Sequence, residues 1–278
     1  MGTRGRPLRP MDHISTTFDL VKNRFIDVFL VGLEGYLFIL AMQTIIVFAS
    51  MMLMIPMFIL LPFLIMEDVL WWAVLVIGAV MLIFALILAF LVMAASSMMV
   101  GGMTNCMLRI RSGEKPEFGD LFRYGWKRKW DLMEINVINT LLVLALVLPI
   151  YLVIFGLGIV MIIIMLPLGL CFLILVLMAI LPITYSIVAL QYLPFIIWMK
   201  EGSDHWSSIK KAWRLFFDNF GAFVGFGLIV ALVSLAASMI PLVNILGMMM
   251  ISPSIILVLL SIHEELVQRE DKVTTSGP

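Results

Sequence analysis

The sequence is short of charge. Lys, Arg, Asp and Glu make up 13% of its 278 residues, against about 25% in a typical soluble domain. Hydrophobic residues make up 63%. Polar surface on that scale cannot cover a water-soluble fold of this size, so the chain belongs in a bilayer. Net charge is zero, which removes the bulk electrostatic case for nucleic acid. There are two cysteines, Cys106 and Cys171. Both fall in apolar runs, and two buried small hydrophobes is the preferred reading over a disulfide.

Catalytic signatures are missing too. No Walker loop and no Gly-x-Ser-x-Gly occurs. His263 and Glu264 open "HEELV", which lacks the second His of a zinc-protease helix. A capping or solvated role at the end of the last span is expected there instead. The Met clusters at 51–54 and 248–250 have no His or Cys beside them, so a copper path is set aside. No metal, cofactor or catalytic residue is expected.

The N terminus is polar and lacks an A-x-A-like site after its first apolar run, so it is expected to be retained. Gly2 suggests myristoylation, but Arg6 stands where Ser or Thr is required. Residues 1–12 read as a flexible basic arm. Residues 13–264 read as one polytopic membrane domain, and 265–278 as a flexible tail.

The remaining charge punctuates the chain. Four apolar blocks result, at about 29–66, 69–108, 132–199 and 220–262. All 18 Lys and Arg fall in residues 1–28, 109–130, 200–214 and 263–278. Segments 66–69, 155–170 and 241–252 have none. If the basic segments are all cytoplasmic, an even number of spans must separate each from the next. The third block therefore holds two helices and not three. The expectation is an all-α membrane protein with six spans and both termini in the cytoplasm. Its hairpins are placed at about 30–107, 132–199 and 221–264, the last turning near Asn244 within "IPLVNILG". The first four helices exceed bilayer thickness, and Pro56, Pro62, Pro167, Pro182 and Pro194 are the expected bends or ends.

Each hairpin has an amphipathic preface. In "SIKKAWRLFFDNF" apolar residues recur at helical spacing from Ile209 to Phe220, with Ser207 or Ser208 as cap. The N-terminal preface uses Ile14, Phe18, Val21, Phe25 and Val28. The two align without a gap 195 positions apart, which suggests an internal repeat. The middle member, "RIRSGEKPEFGDLFRYGWKRKW", carries seven of the 18 Lys and Arg. Its helix is expected after Pro116, with Phe118, Leu121, Phe122, Trp126 and Trp130 on one face. Such a helix lies at headgroup level, aromatic rings in the interface and cations near lipid phosphate. The interface residues are expected to be Arg111, Arg123, Trp126, Lys127, Arg128, Lys129, Trp130, Lys210, Lys211 and Trp213. The expected partners are anionic lipid headgroups. Gly221 and Gly225 also permit close helix packing, so a second copy or another membrane protein stays open as partner.

Taken together, "GGMTNCMLRIRSGEKPEFGDLF" and "QYLPFIIWMKEGSDHWSSIKKAWRLFFDNF" resemble a group of prokaryotic six-helix membrane families of unknown function. These are similar to the membrane domain of membrane-anchored glycerophosphodiester phosphodiesterases. The carriers are Gly101 and Gly102, the turn at Gly113 and Glu114, the Phe118, Leu121, Phe122 helix, the turn near Glu201 and Gly202, and the helix from Trp213 to Phe220. The resemblance implies a fold. The enzyme's His-Arg-Gly motif is absent, so no catalytic site follows.

Two functions stay open. One is a non-enzymatic protein that organises lipid or serves as a membrane-embedded partner. The other is transport of a small solute or ion. The latter would use polar residues within spans, which are functional suspects because burying them is costly. Glu34, Gln43, Tyr185 and Gln191 are that candidate set. For Glu34 the competing expectation is that it reaches back to the interface and pairs with a cytoplasmic Arg.

Overall fold

The computed structural model describes residues 10–64, 70–164, 166–238 and 241–275. They form α1 (Pro10–Asn23), α2 (Phe25–Leu64), α3 (Leu70–Arg111), α4 (Asp120–Lys127), α5 (Lys129–Ile164), α6 (Leu166–Glu201), α7 (His205–Asp218), α8 (Phe220–Ser238) and α9 (Pro241–Thr275). No strand occurs among the described residues. Except at their ends, helices satisfy backbone N–H and C=O groups within the segment, which an apolar solvent demands. Five helices, α2, α3, α5, α6 and α9, are long and apolar enough to cross a membrane. A sixth span results if α7 and α8, bent by 85°, are taken as one.

Helices α3, α6 and α9 pack against one another at the centre. Met107 and Ile110 of α3, Leu193 and Ile197 of α6, and Leu257 and Leu260 of α9 are all buried there. The outer helices fill the gaps between them. α2 packs on α3 and α9, α5 on α3 and α6, and α8 on α6 and α9. The short helices follow the same order: α4 lies on α3, α7 on α6, and α1 on α9. The last of these contacts closes the ring between the two ends of the chain.

The repeat suspected from two segments has three members. Each short helix joins the following long one through a single non-helical residue: Arg24, Arg128 or Asn219. The hydrogen bonds around these residues are the same in all three. The N–H groups of Arg24, Arg128 and Asn219 donate to the carbonyls of Leu20, Tyr124 and Leu215 at 2.9, 3.1 and 3.2 Å. Their own carbonyls accept from Val28, Leu132 and Phe223 at 3.0, 3.0 and 3.2 Å. The junction is therefore a bend that keeps helical pairing, and Val28, Leu132 and Phe223 all point into the core.

Four residues further on, the equivalence continues. At Gly32 an added Cβ would strike the carbonyl of Met249 on α9, and at Gly227 that of Pro182 on α6. Pro253 has no N–H to offer Met249, so that carbonyl lacks its ordinary partner four residues ahead. Asn136 occupies the third position and donates its side-chain amide to Ser97 Oγ at 2.8 Å, with the Met93 carbonyl of α3 at 3.4 Å.

Several boundaries differ from expectation. Asn244 and Gly247 lie inside α9, because the helix starts at Pro241. Proline is well suited to a first helical position, where its missing N–H has no partner to lose. Residues 265–275 continue α9 and are not a loose tail. Residues 10–12 are already helical, while 1–9 lie outside the described residues. Of the expected bend points, Pro182 and Pro194 lie inside α6. The side chains of Pro56, Pro62, Pro167 and Cys171 fall outside the described residues, as does the turn around Glu67 and Asp68. Asp204, not Ser207 or Ser208, takes the N-cap position of α7. The Ser208 hydroxyl instead donates to the Asp204 carbonyl at 3.0 Å.

Candidate functional site

Helix α4 is fixed by backbone contact. Gly102 of α3 faces the carbonyl of Leu121, and a Cβ at Gly125 would come within 2.6 Å of the Met98 carbonyl. Two glycines thus let α4 lie flush on α3. Its N terminus is held as well. Asp120 accepts from Arg109 at 2.6 Å and from the Glu117 N–H at 3.0 Å. These interactions, the backbone bond first, hold the Asp120 carboxyl below the usual aspartate range against the opposing effect of burial. Gly119, with φ of +95°, is the N-cap and supplies no side-chain acceptor.

Glu34 lies at that N terminus. It projects from α2, is 2% exposed, and faces the backbone N–H groups of Gly119 and Phe122. A carboxylate at the first turn of a helix meets unpaired donors and the positive end of the dipole. Its Oε1 has no hydrogen-bond partner among the described residues. Among the described residues Glu34 has no ion pair with an Arg. It ties a long helix to the start of a short one.

The other polar candidates do not join it. Gln43 is exposed on α2 beside Leu40, Thr44 and Val47. Gln191 is exposed on α6, and Tyr185 is half-buried on the same helix. The four residues are not brought together.

The expected interface residues divide into two groups. Arg123, Trp126, Lys127, Arg128 and Trp130 are exposed, as is Lys210 of α7. Half-buried Lys129 stands over the Trp126 ring at 4.1 Å. Trp130 lies beyond the Arg128 bend and so belongs to α5. The remaining three turn inward. Trp213 donates its indole N–H to Asn139 of α5 at 2.9 Å, and Asn139 donates to the Leu190 carbonyl of α6 at 3.1 Å. Lys211 pairs with Glu201 at 2.8 Å. Arg111 binds Glu264 through two nitrogens.

That last pair belongs to a charge cluster where α3 and α6 end against α9. Glu264 also holds Lys200, and Glu201 takes His263 Nε2 at 3.1 Å besides Lys211. His263 is 3% exposed, and its Nδ1 has no partner among the described residues. His13 of α1 completes the closure, with Nδ1 3.0 Å from Ser261 and Nε2 2.7 Å from Glu265. The sequence suggests a capping or solvated role for His263 and Glu264. In the fold His263 is buried and Glu264 half-buried, because α9 is central, which only the ring of helices reveals.

Two apolar grooves lie beside equivalent short helices. One, of about 450 Å³, is bounded by α2, α3 and α4, and Arg123 is among its lining residues. The other, of about 270 Å³, is bounded by α1, α8 and α9 and has no charged lining residue. No family model, curated protein or solved structure matches this chain.

Proposed function

We propose that the chain is a non-enzymatic six-span protein of the cell membrane that organises lipid at the cytoplasmic leaflet. Its hairpins are α2–α3, α5–α6 and α8–α9. The helices α1, α4 and α7 lie at headgroup level. The observation that carries this reading is the threefold bend at Arg24, Arg128 and Asn219. Between α7 and α8 the bend is 85°, and each unit exposes aromatic rings: Phe18, Trp126 and Phe217 among them. Interfacial helices are recognised by this division of apolar and charged faces. A transport path through Glu34, Gln43 and Gln191 has less support, because two of the three are exposed on separate helices.

The functional test is lipid composition around the purified full-length protein. Replacing Phe118, Phe122, Trp126 and Trp130 by Ala should reduce co-purified anionic lipid relative to the parent. Unchanged lipid composition would sink the reading. The layout is tested separately, by single-cysteine labelling with an impermeant reagent in a background without Cys106 and Cys171. Cysteine at Asp68 should label in intact cells, and cysteines at Glu114 and Ser203 only after permeabilisation. Labelling of Ser203 from outside would require an odd number of spans in residues 132–199.

A further inference from the structure

We infer that the groove between α2, α3 and α4 is a specific site for one glycerophospholipid with an anionic headgroup. An acyl chain would lie in the groove and the phosphate against Arg123 and Lys127. The inference rests on the reading of α4 as a headgroup-level helix, and it names the ligand of that helix.

Three observations support it. The groove is preformed, because backbone contacts at Gly102 and Gly125 hold α4 against α3. Its walls are apolar: Phe38 of α2, Met98 and Met99 of α3, and Phe122 and Trp126 of α4. Phe38 and Phe122 are in ring contact at 5.2 Å and close one side. Thioether and aromatic side chains of this kind adapt to an irregular hydrocarbon chain.

The second observation is the state of the cations. Arg123 lines the groove, and its side chain is 74% exposed. Its one ion pair among the described residues is a 3.4 Å contact to Asp120, whose other oxygen already serves Arg109 at 2.6 Å. Most of the guanidinium's donors are uncommitted among the described residues. Lys127, four residues on, lies on the same side of α4 and is exposed. An Arg and a Lys above an apolar slot match a phosphate on a hydrocarbon chain.

The third is an internal control. The groove beside α1 lies between the equivalent helices, and of α1 only Ile14 lines it; Asp19 and Asn23 stand at the positions of Arg123 and Lys127, and Lys22 at that of Trp126. No charged residue lines that groove. A site selective for anionic lipid is therefore expected in the α4 groove alone.

The test is native mass spectrometry of the full-length chain, released from micelles containing equal phosphatidylglycerol and phosphatidylcholine of matched acyl chains. One phosphatidylglycerol per chain should persist at collision energies that strip phosphatidylcholine. Arg123→Gln with Lys127→Gln should abolish the headgroup preference, a loss of order ten-fold in relative retention. Met98→Trp fills the groove and should remove the retained lipid altogether. Met250→Trp, in the α1 groove, should leave it in place. Arg123→Gln and Lys127→Gln alter exposed side chains only, so misfolding does not confuse that arm. Retention equal for both lipids, or unaffected by the double variant, overturns the specific site. If bulk enrichment of anionic lipid around the protein persists while the single retained lipid is absent, the groove fails and the wider function stands. If both are absent, both fail.

Discussion

Helices α1 and α4 occupy equivalent places in the ring and are built for different tasks. Both end on an Arg that makes the same one-residue bend. Both bury a stripe against a central helix: His13 and Thr17 in α1, and Leu121 and Gly125 in α4. The difference lies in what fixes them. α1 is held by side chains, through His13 to Ser261 and Glu265. α4 is held by backbone contact at two glycines and by Glu34 beneath its first turn. Val21 stands in α1 where α4 has Gly125. Outward, α4 shows cations where α1 shows Asp19 and Asn23. Geometry thus repeats around the ring, and chemistry is varied on top of it.

The sharpest way to break this contrast is to give α4 the α1 residue. Gly125→Val puts a Cβ within 2.6 Å of a main-chain carbonyl, which no rotamer change can relieve. The expected cost is at or above the upper end of about 1–3 kcal/mol for overpacking. Gly102→Ala meets the Leu121 carbonyl and should behave similarly. The converse change, Val21→Gly, removes packing without a clash. It should cost about 1 kcal/mol through the lost methyl groups and the helix propensity of Gly. Thermal melting in one detergent compares the three variants. Equal effects at Gly125 and Val21 would mean that the backbone contact does not distinguish the helices.

The central charge cluster should be next in size. Glu264→Gln leaves Arg111 and Lys200 without their shared carboxylate. Their side chains are 22% and 24% exposed. The cost should then lie between an exposed pair and a buried one, at about 1–2 kcal/mol. A double-mutant cycle of Glu264→Gln with Arg111→Gln measures the coupling. A coupling of zero would show that the cluster contributes no pairwise stability.

These sites also mark how far the sequence could be read. Composition and the spacing of charge were enough for the membrane class and for all-helical spans, because long uncharged runs leave few alternatives. Aligning Phe18 with Trp213 puts two of the three amphipathic prefaces in register. The middle one is legible as a preface but does not align by sequence, because Gly125 replaces the apolar residue found at Val21 and Phe216. Its role depends on the Met98 carbonyl, which lies across a helix contact. The polar candidates are hard to rank from sequence for a related reason. Glu34 and Gln43 look alike as polar residues within one apolar run. Which of them is buried depends on whether a short helix folds over it. Trp213 and Arg111 read as interface residues by type, yet each found an inward partner, Asn139 and Glu264.

Glu34 offers a finer test of how α4 is held. Glu34→Gln keeps an oxygen acceptor for the N–H groups of Gly119 and Phe122, whereas Glu34→Leu removes it. Losing a cap of this kind costs about 0.5–2 kcal/mol. Hydrogen exchange at the amides of residues 119–122 should speed up several-fold in the Leu variant and less in the Gln variant. Exchange at the start of α1 should not change in either. Equal protection in the parent and both variants would remove Glu34 from the anchoring of α4.

The smallest effect expected is a response to acid confined to α4. Asp120 holds the Glu117 N–H and Arg109, and its carboxyl is depressed below the ordinary aspartate value of about 4. A group with a depressed folded-state pKa contributes stability that is fully present above its unfolded value. That contribution is lost as pH falls through the folded value. The anchoring of α4 should therefore be constant from neutral pH down to about pH 4 and weaken below it. Asp120→Asn should show the weakened state at every pH and a flatter profile. Thr16 stands at the equivalent place in α1 and does not titrate. The measurement is labelling of a cysteine at Glu117 during a brief acid pulse, in a Cys106-free, Cys171-free background, with a cysteine at Met11 reporting on α1. The reagent is a dithiodipyridine, whose protonated ring keeps it reactive towards thiols in acid, where the thiolate is scarce. Greater labelling at Glu117 below pH 4 in the parent, absent in Asp120→Asn, is the expected result. The same acid dependence in both proteins would place the sensitivity elsewhere in the ring.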